Sequence, residues 1–298
     1  MTLVSASRRT DIPALYAPWF LRRLREGFCH WIHPFNGQVR RVSLRPADTL
    51  GIVCWTRQPA PLIPHLEDLQ SAGHRFAFHV TVNGYPERIE SHNPPAEKSI
   101  AAVHRLARAL PPDRVWWRYD PLLVSEITPA AWHERNFTRL AQALEGAVRR
   151  CYFSFPTLYR KTRRNLDAAG VGWIDPPLET RLEIAGRLAA IAQRHGIRLY
   201  SCCDDRLLAA GAGKARCVDG EVFQAGSLAP APTRPDCGCG SSVDIGAYDT
   251  CSFGCACCYA THSRRAALTR LAAHDPEDTL LWRPATLRGQ DLLLPVHR

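Results

Sequence analysis

Short apolar runs bounded by glycine, proline or charge recur along the chain. Seven of them read as strands: 2–7 (TLVSAS), 51–56 (GIVCWT), 76–82 (FAFHVTV), 114–120 (RVWWRYD), 150–155 (RCYFSF), 197–202 (IRLYSC) and 243–249 (VDIGAYD). Most are mixed or continuous apolar runs of strand length. A further run, 39–44 (VRRVSL), suits an extra strand or one arm of a hairpin. Between them, apolar residues recur at three- and four-residue spacing in ALYAPWFLRRLREG, PLIPHLEDLQSAG, AEKSIAAVHRLARAL, AAWHERNFTRLAQALEG and LETRLEIAGRLAAIAQRHG. These are helical patterns, and the first two close on glycine, a common helix stop. Strands alternating with helices imply βαβ units around a parallel sheet. The number of units in 298 residues predicts an α/β fold of the (β/α) TIM-like barrel kind, complete or partial, with a doubly wound open sheet as the alternative. Residues 1–298 read as one barrel-like domain, with 224–242 a Pro/Gly-rich loop and 275–298 a capping tail.

Composition supports a globular chain, since 46% of residues are hydrophobic. The N-terminus MTLVSASRRTDIP lacks the pattern of a signal peptide, and no apolar run approaches the roughly 18 residues of a membrane helix. A cytoplasmic protein with no membrane partner is the expectation. The 38 Lys+Arg exceed the 28 Asp+Glu, and the surplus is spread over FLRRLREG, LYRKTRRNL and HSRRAALTR. Such spreading suits solvated helix faces first, and a nucleic acid or phosphorylated partner second. His-Glu-x-x-His, Walker and Gly-x-Ser-x-Gly motifs are missing from the sequence, so metal hydrolysis and phosphoryl transfer have little support.

The 12 cysteines change the picture. In a reducing compartment clustered cysteines bind metal or do redox chemistry more often than they form disulfides. Cys29, Cys54 and Cys151 stand among apolar residues and read as core fillers; the others crowd into a cysteine-rich, metal-binding region at 202–262. Cys251-x3-Cys255-x2-Cys258 follows the last candidate strand directly. Three thiolates there can hold three irons of a 4Fe–4S cluster and leave the fourth open to an exogenous ligand. Zinc on Cys237, Cys239, Cys255 and Cys258 is the competitor, although zinc pairs usually have about two to four residues between them, not the single spacer of CGC. Cys202 or Cys203 with Cys217, Cys237 and Cys239 makes a second candidate set, for an auxiliary cluster or a zinc, against the plain alternative of buried thiols. Several strands also end in polar residues: Arg8, Arg9, Thr10 and Asp11; Trp55, Thr56 and Arg57; His79, Thr81 and Asn83; Arg118, Tyr119 and Asp120. The carboxyl ends of parallel strands form the ligand-binding face in such folds.

The Cys251-x3-Cys255-x2-Cys258 spacing resembles that of radical S-adenosylmethionine (SAM) enzymes. Together with SASRRTDIP, VSLRPADT, VCWTRQP, WWRYDP, SCCDD, CVDG, CGCGSSVDIGAYDTC and GCACCYA, it is similar to a bacterial family of unknown function whose C-terminal cysteines resemble the radical SAM cluster loop. The likeness runs from the first strand to about residue 262. It implies a permuted radical SAM barrel, with the cluster loop after the last strand in place of the first. It also implies that SAM chelates the open iron and is cleaved by one electron to begin hydrogen abstraction, with a ferredoxin or flavodoxin as reductant. The substrate, whether small molecule, peptide or nucleic acid, is not implied. In the resemblance the residue before the last cysteine is aromatic, whereas here it is Cys257, with Tyr259 one step beyond. If 243–249 stands in for the usual first strand, the N-terminal strand becomes its neighbour, and Arg8, Arg9, Thr10 and Asp11 become the leading SAM or substrate contacts. Arg9, Asp11, Arg118 and Asp120 are then the catalytic candidates, and Tyr259, His79 and Asn83 further cofactor contacts. The competing reading is a zinc-bearing, basic nucleic-acid-binding protein without catalysis.

Overall fold

In a computed structural model, residues 1–290 and 292 are described. Ten strands and eight α-helices follow one another among them: β1 (Thr2–Ala6), α1 (Ile12–Leu15), α2 (Ala17–Glu26), β2 (Phe28–Ile32), β3 (Val39–Ser43), β4 (Thr49–Thr56), α3 (Leu66–Ser71), β5 (Phe76–Thr81), α4 (Ala96–Ala109), β6 (Val115–Arg118), α5 (Ala130–Leu144), β7 (Arg150–Phe153), α6 (Arg160–Ala168), α7 (Leu178–Arg194), β8 (Arg198–Ser201), β9 (Gly213–Lys214), β10 (Val243–Asp244) and α8 (Arg264–Ala272). Eight strands form one sheet in the order β10-β1-β4-β5-β6-β7-β8-β9, with every neighbouring pair parallel. This is a mixed α/β fold with a large parallel sheet, compatible with a barrel-like winding. No pairing of β9 with β10 closes the sheet among the described residues.

Successive side chains point to opposite faces of a strand, and both faces are filled. On the helix side, Val4, Ile52, Phe78, Trp117, Cys151 and Phe153 pack against α2, α4, α5 and α7. On the other side, Leu3, Val53, Ala77, Trp116 and Tyr152 pack against residues 215–239, which run along that face. Two covered faces explain why the strands read as continuous apolar runs. Phe223 lies low on this second face, where its ring occupies the space a side chain at Gly51 would need (2.2 Å from an ideal Cβ). Its carbonyl accepts from Arg75 Nη1 at 2.9 Å. Cys29, Cys54 and Cys151 are fully buried in the helix-side core.

The run 39–44 is one arm of an antiparallel hairpin, one of its two expected readings, with β2 as the other arm. Two other expectations are corrected in detail. The candidate strand 243–249 stops at Asp244, because its own carboxylate accepts from Gly246 N at 3.0 Å and turns the chain. The helical pattern at 14–27 breaks at Tyr16, which ends α1 with an N–H donated to Ile12 O. The tail packs on the hairpin and α2, with Trp19 Nε1 donating to Asp278 O (2.8 Å) and His30 N to Thr279 O (2.9 Å). Residues 291 and 293–298 of the expected 275–298 tail lie outside the described residues.

One core group yields a clean test. His133, on the buried face of α5, donates from Nε2 to Leu123 O (2.9 Å) while Nδ1 accepts from Tyr119 OH (2.7 Å), which fixes the neutral tautomer. Burial lowers its pKa from 6.5 to about 4. The unfolded chain therefore binds the extra proton first, and this contribution to stability is full above about pH 6.5 and is lost as pH falls toward 4, up to about 3 kcal/mol. In denaturant titrations across that window, the stability advantage of the wild type over His133→Gln is expected to shrink as pH falls and to stay flat above it.

Candidate metal and cofactor site

Asp244, the last residue of β10, anchors the end of β1. Its carboxylate accepts from Ser5 Oγ (2.7 Å), Ser7 Oγ (2.6 Å) and Arg8 N (2.8 Å). The two strand ends come so close that a Cβ on Gly246 would lie 2.0 Å from Ser7 Oγ. The N-terminal loop is thus fixed beside the segment that carries the C-terminal cysteines. Arg9 reaches back to Asp244 (3.6 Å) with its guanidinium against the rings of Trp31 and Tyr248. Tyr259 OH donates to Arg8 O (2.7 Å). Asp11 caps α1 through Ala14 N (3.0 Å) and accepts from Arg57 N (2.6 Å), while burial pushes its carboxyl up to about 6. The Thr10 hydroxyl is buried without a partner.

Cys251, Cys255 and Cys258 lie within electrostatic reach of one another. Burial raises the Cys251 thiol, and the charges of Cys255, Cys258 and Asp11 raise it further. Burial also pushes Cys255 up to about 11, with Arg57 pulling the other way. Gly254, at φ +71°, turns the loop so that Ala256 N donates to Ile89 O (2.9 Å) and Cys255 Sγ meets Asn93 Nδ2 at 3.4 Å. Cys257 is buried behind them, against the charges of Cys255, Glu90 and Arg57. A cavity of about 300 Å³ opens beside Cys255, with Arg57, Asn83, Glu90, Asn93 and Ser99 on its wall.

From this trio a polar chain crosses the strand ends. Arg57 pairs with Glu90 (2.8 Å), Glu90 accepts from Asn83 Nδ2 (2.8 Å), and Asn83 Oδ1 accepts from Asp120 N (2.9 Å). Asp120 pairs with Arg118 (2.5 Å), whose other nitrogen donates to Cys217 Sγ (3.3 Å). Burial works against the charge of Arg118, and Asp120 and Cys217 outweigh it. There the chain meets the second sulfur group, in which Cys202 Sγ stands 3.6 Å from both Cys203 Sγ and Cys217 Sγ. His79 is fully buried, donates to Cys217 O (2.9 Å) and stacks on Trp55; burial lowers its pKa to about 3.

The predicted residues therefore divide between two places. Asp11, Cys251, Cys255 and Cys258 gather near the end of β1, with Arg9 and Tyr259 on the same loops. Arg118 and His79 contact Cys217 instead, as part of the second sulfur group with Cys202, Cys237 and Cys239. Asn83 and Asp120 join the two, and Arg8 leans toward the second, over the Trp55 ring and onto Ser242 Oγ (3.3 Å). The mixed zinc set of Cys237 and Cys239 with Cys255 and Cys258 is not what the fold assembles: Cys237 and Cys239 act on Cys203 and Cys217 instead. Among the described residues no three His, Cys, Asp or Glu side chains stand around a single metal position in this arrangement. Three residues escaped the sequence reading. Asp244 carried a signal, a carboxylate ending a strand just before the cysteines, whereas Glu90 and Asn93 sit in a loop (RIESHN) with no motif to mark them.

The chain matches a family described as a domain of unknown function (DUF1848) over residues 3–260, and belongs to it. No curated protein matches it. Among solved structures, the tetrameric deoxyribose phosphate aldolase from Aeropyrum pernix is similar, at 13% identity and a TM-score of 0.29, with 72% of this chain and 81% of that chain covered. So slight a likeness carries no argument about activity. No helix among the described residues is long and apolar enough to cross a membrane.

Asn83 gives the site's structural test. It is buried and satisfies both backbone groups of Asp120 as well as Glu90, so Asn83→Ala strands the Asp120 N–H and carbonyl and leaves Glu90 Oε1 with Arg57 alone. The expected loss is about 2–3 kcal/mol, measured by urea unfolding.

Proposed function

We propose that this chain is a radical SAM-like enzyme in which Cys251, Cys255 and Cys258 hold a 4Fe–4S cluster. The observation that supports it is the gathering of three thiols within reach of one another's charge, on the loop leaving β10 and beside the Arg8–Asp11 end of β1. The donor set fits such a group: three soft sulfur ligands suit iron and leave one iron free. The orphaned Thr10 hydroxyl is the kind of buried donor that a bound molecule would satisfy. When bound, the cluster supplies one electron for cleaving SAM, which begins hydrogen abstraction from the substrate.

The chain's own residues bind and orient. Thr10 offers a hydrogen bond to SAM. Asp11 has both carboxylate oxygens engaged by backbone N–H groups, so its part is to hold the loop in shape. Arg9, braced between Trp31 and Tyr248, would offer a fixed positive charge to the carboxylate of bound SAM. The cavity beside Cys255 receives the substrate, with Arg57 and Glu90 paired on its wall. The substrate class stays open among small molecule, peptide and nucleic acid, and a low-potential donor such as ferredoxin or flavodoxin is required.

Anaerobically purified protein is expected to be brown, to hold about four irons per chain, and to cleave SAM when reduced. Cys255→Ser should abolish colour and cleavage, while Cys257→Ser should keep both. Arg9→Ala should weaken SAM binding at least tenfold with the colour unchanged. A colourless protein carrying only zinc, or a Cys255→Ser variant that still cleaves SAM, overturns the reading and favours the nucleic-acid-binding alternative.

A further inference from the structure

Five thiols outside the cluster loop form a closed ring at the carboxyl ends of β8 and β9. Cys202 touches Cys203 and Cys217, both at 3.6 Å. Cys217 and Cys239, Cys239 and Cys237, and Cys237 and Cys203 are near enough to act on one another's thiol protons. The ring is drawn from three separate stretches of chain, and Gly238 lets the CGC turn press in: a Cβ there would lie 2.7 Å from Ala215 O. Cys203 and Asp236, which flank the turn, hold φ near +60° (61° and 58°), a strained setting for residues other than glycine.

The spacing separates the candidate occupants. Zinc in a tetrahedron of sulfurs at about 2.3 Å needs those sulfurs about 3.8 Å apart. Cys202 and Cys217 already stand at 3.6 Å. A cubane binds each thiolate through a different iron, which demands a much wider set. Charge also suits a tetrathiolate zinc, which is doubly negative. Arg118 donates to Cys217, and the guanidinium groups of Arg8 and Arg234 act on Cys239 and on Cys203 with Cys202.

We propose that the ring is a zinc site, with Cys202, Cys217, Cys237 and Cys239 as its four ligands. Cys203 is the spare sulfur: it neighbours a ligand in sequence and lies within reach of the Arg234 charge. The thiols touch without surrounding an ion, and zinc replaces their mutual contacts with metal–sulfur bonds while each remaining thiol proton leaves to solvent. The site contains none of the cluster cysteines, so it stands apart from the proposed radical chemistry. Its effect is to tie the end of β8, the segment after β9 and the loop leading to β10 into one knot, across the side where the sheet is open.

The test is metal analysis and zinc-edge X-ray absorption on the full chain, purified without added metal. One zinc per chain bound by four sulfurs at about 2.3 Å is expected, and it should persist in Cys255→Ser and Cys203→Ser. Cys217→Ser should lose it; if that variant does not fold, the absorption spectrum of the wild type decides alone. Iron near eight per chain without zinc would make the ring a second cluster. A metal-free protein lighter by two hydrogens per bridge would make it a disulfide pair. Zinc with nitrogen or oxygen ligands would place the metal elsewhere. Any of these three results overturns the proposal.

Discussion

The parallel pairing of β10 with β1 is the constraint on which the rest of the structure depends. It is very short, with Val4 opposite Val243 and Ser5 opposite Asp244, and a side chain completes what the backbone ladder leaves undone. One carboxylate gathers two hydroxyls and two backbone N–H groups, a charge-assisted set stronger than neutral bonds of the same number. Because of that clasp, residues more than two hundred positions apart share one edge. The cysteine loop and the SRRTD loop then emerge side by side.

The second organising feature is the polar chain from Asp11 to Cys217. Each member is buried or nearly so, and each is satisfied by the next: Arg57, Glu90, Asn83, Asp120, Arg118. Buried charges persist only when paired and hydrogen-bonded, so the chain is rigid along its length. It also sets a common electrostatic environment for the two sulfur groups, with a guanidinium at each end. Arg57 faces Cys255 and Arg118 faces Cys217.

Periodicity read the architecture well because both faces of the sheet are covered, and continuous apolar runs announce such strands. It failed where local geometry, not pattern, ends an element: at Asp244, where a carboxylate turns the chain, and at Tyr16, whose non-helical backbone (φ −132°) divides one helical pattern into two helices. The hairpin arm β2, FCHWI, was missed because a pair folded back on its own neighbour adds no step to the βαβ rhythm. At the site, spacing alone picked out the trio. It could not tell which cysteines meet across the fold, since the ring depends on how 215–239 lies on the sheet. Nor could it show that His79 supports a backbone carbonyl, because a histidine at a strand end looks the same whether its ring faces a ligand or a peptide group.

Phe223 has a consequence beyond packing. It fills the notch left by Gly51, with Arg114 over its ring and Arg75 on its carbonyl, so the lower end of the sheet's second face is stoppered by the chain itself. That face is therefore closed at the amino end of β4, and a ligand held on it would meet the loops at the carboxyl ends of the strands first.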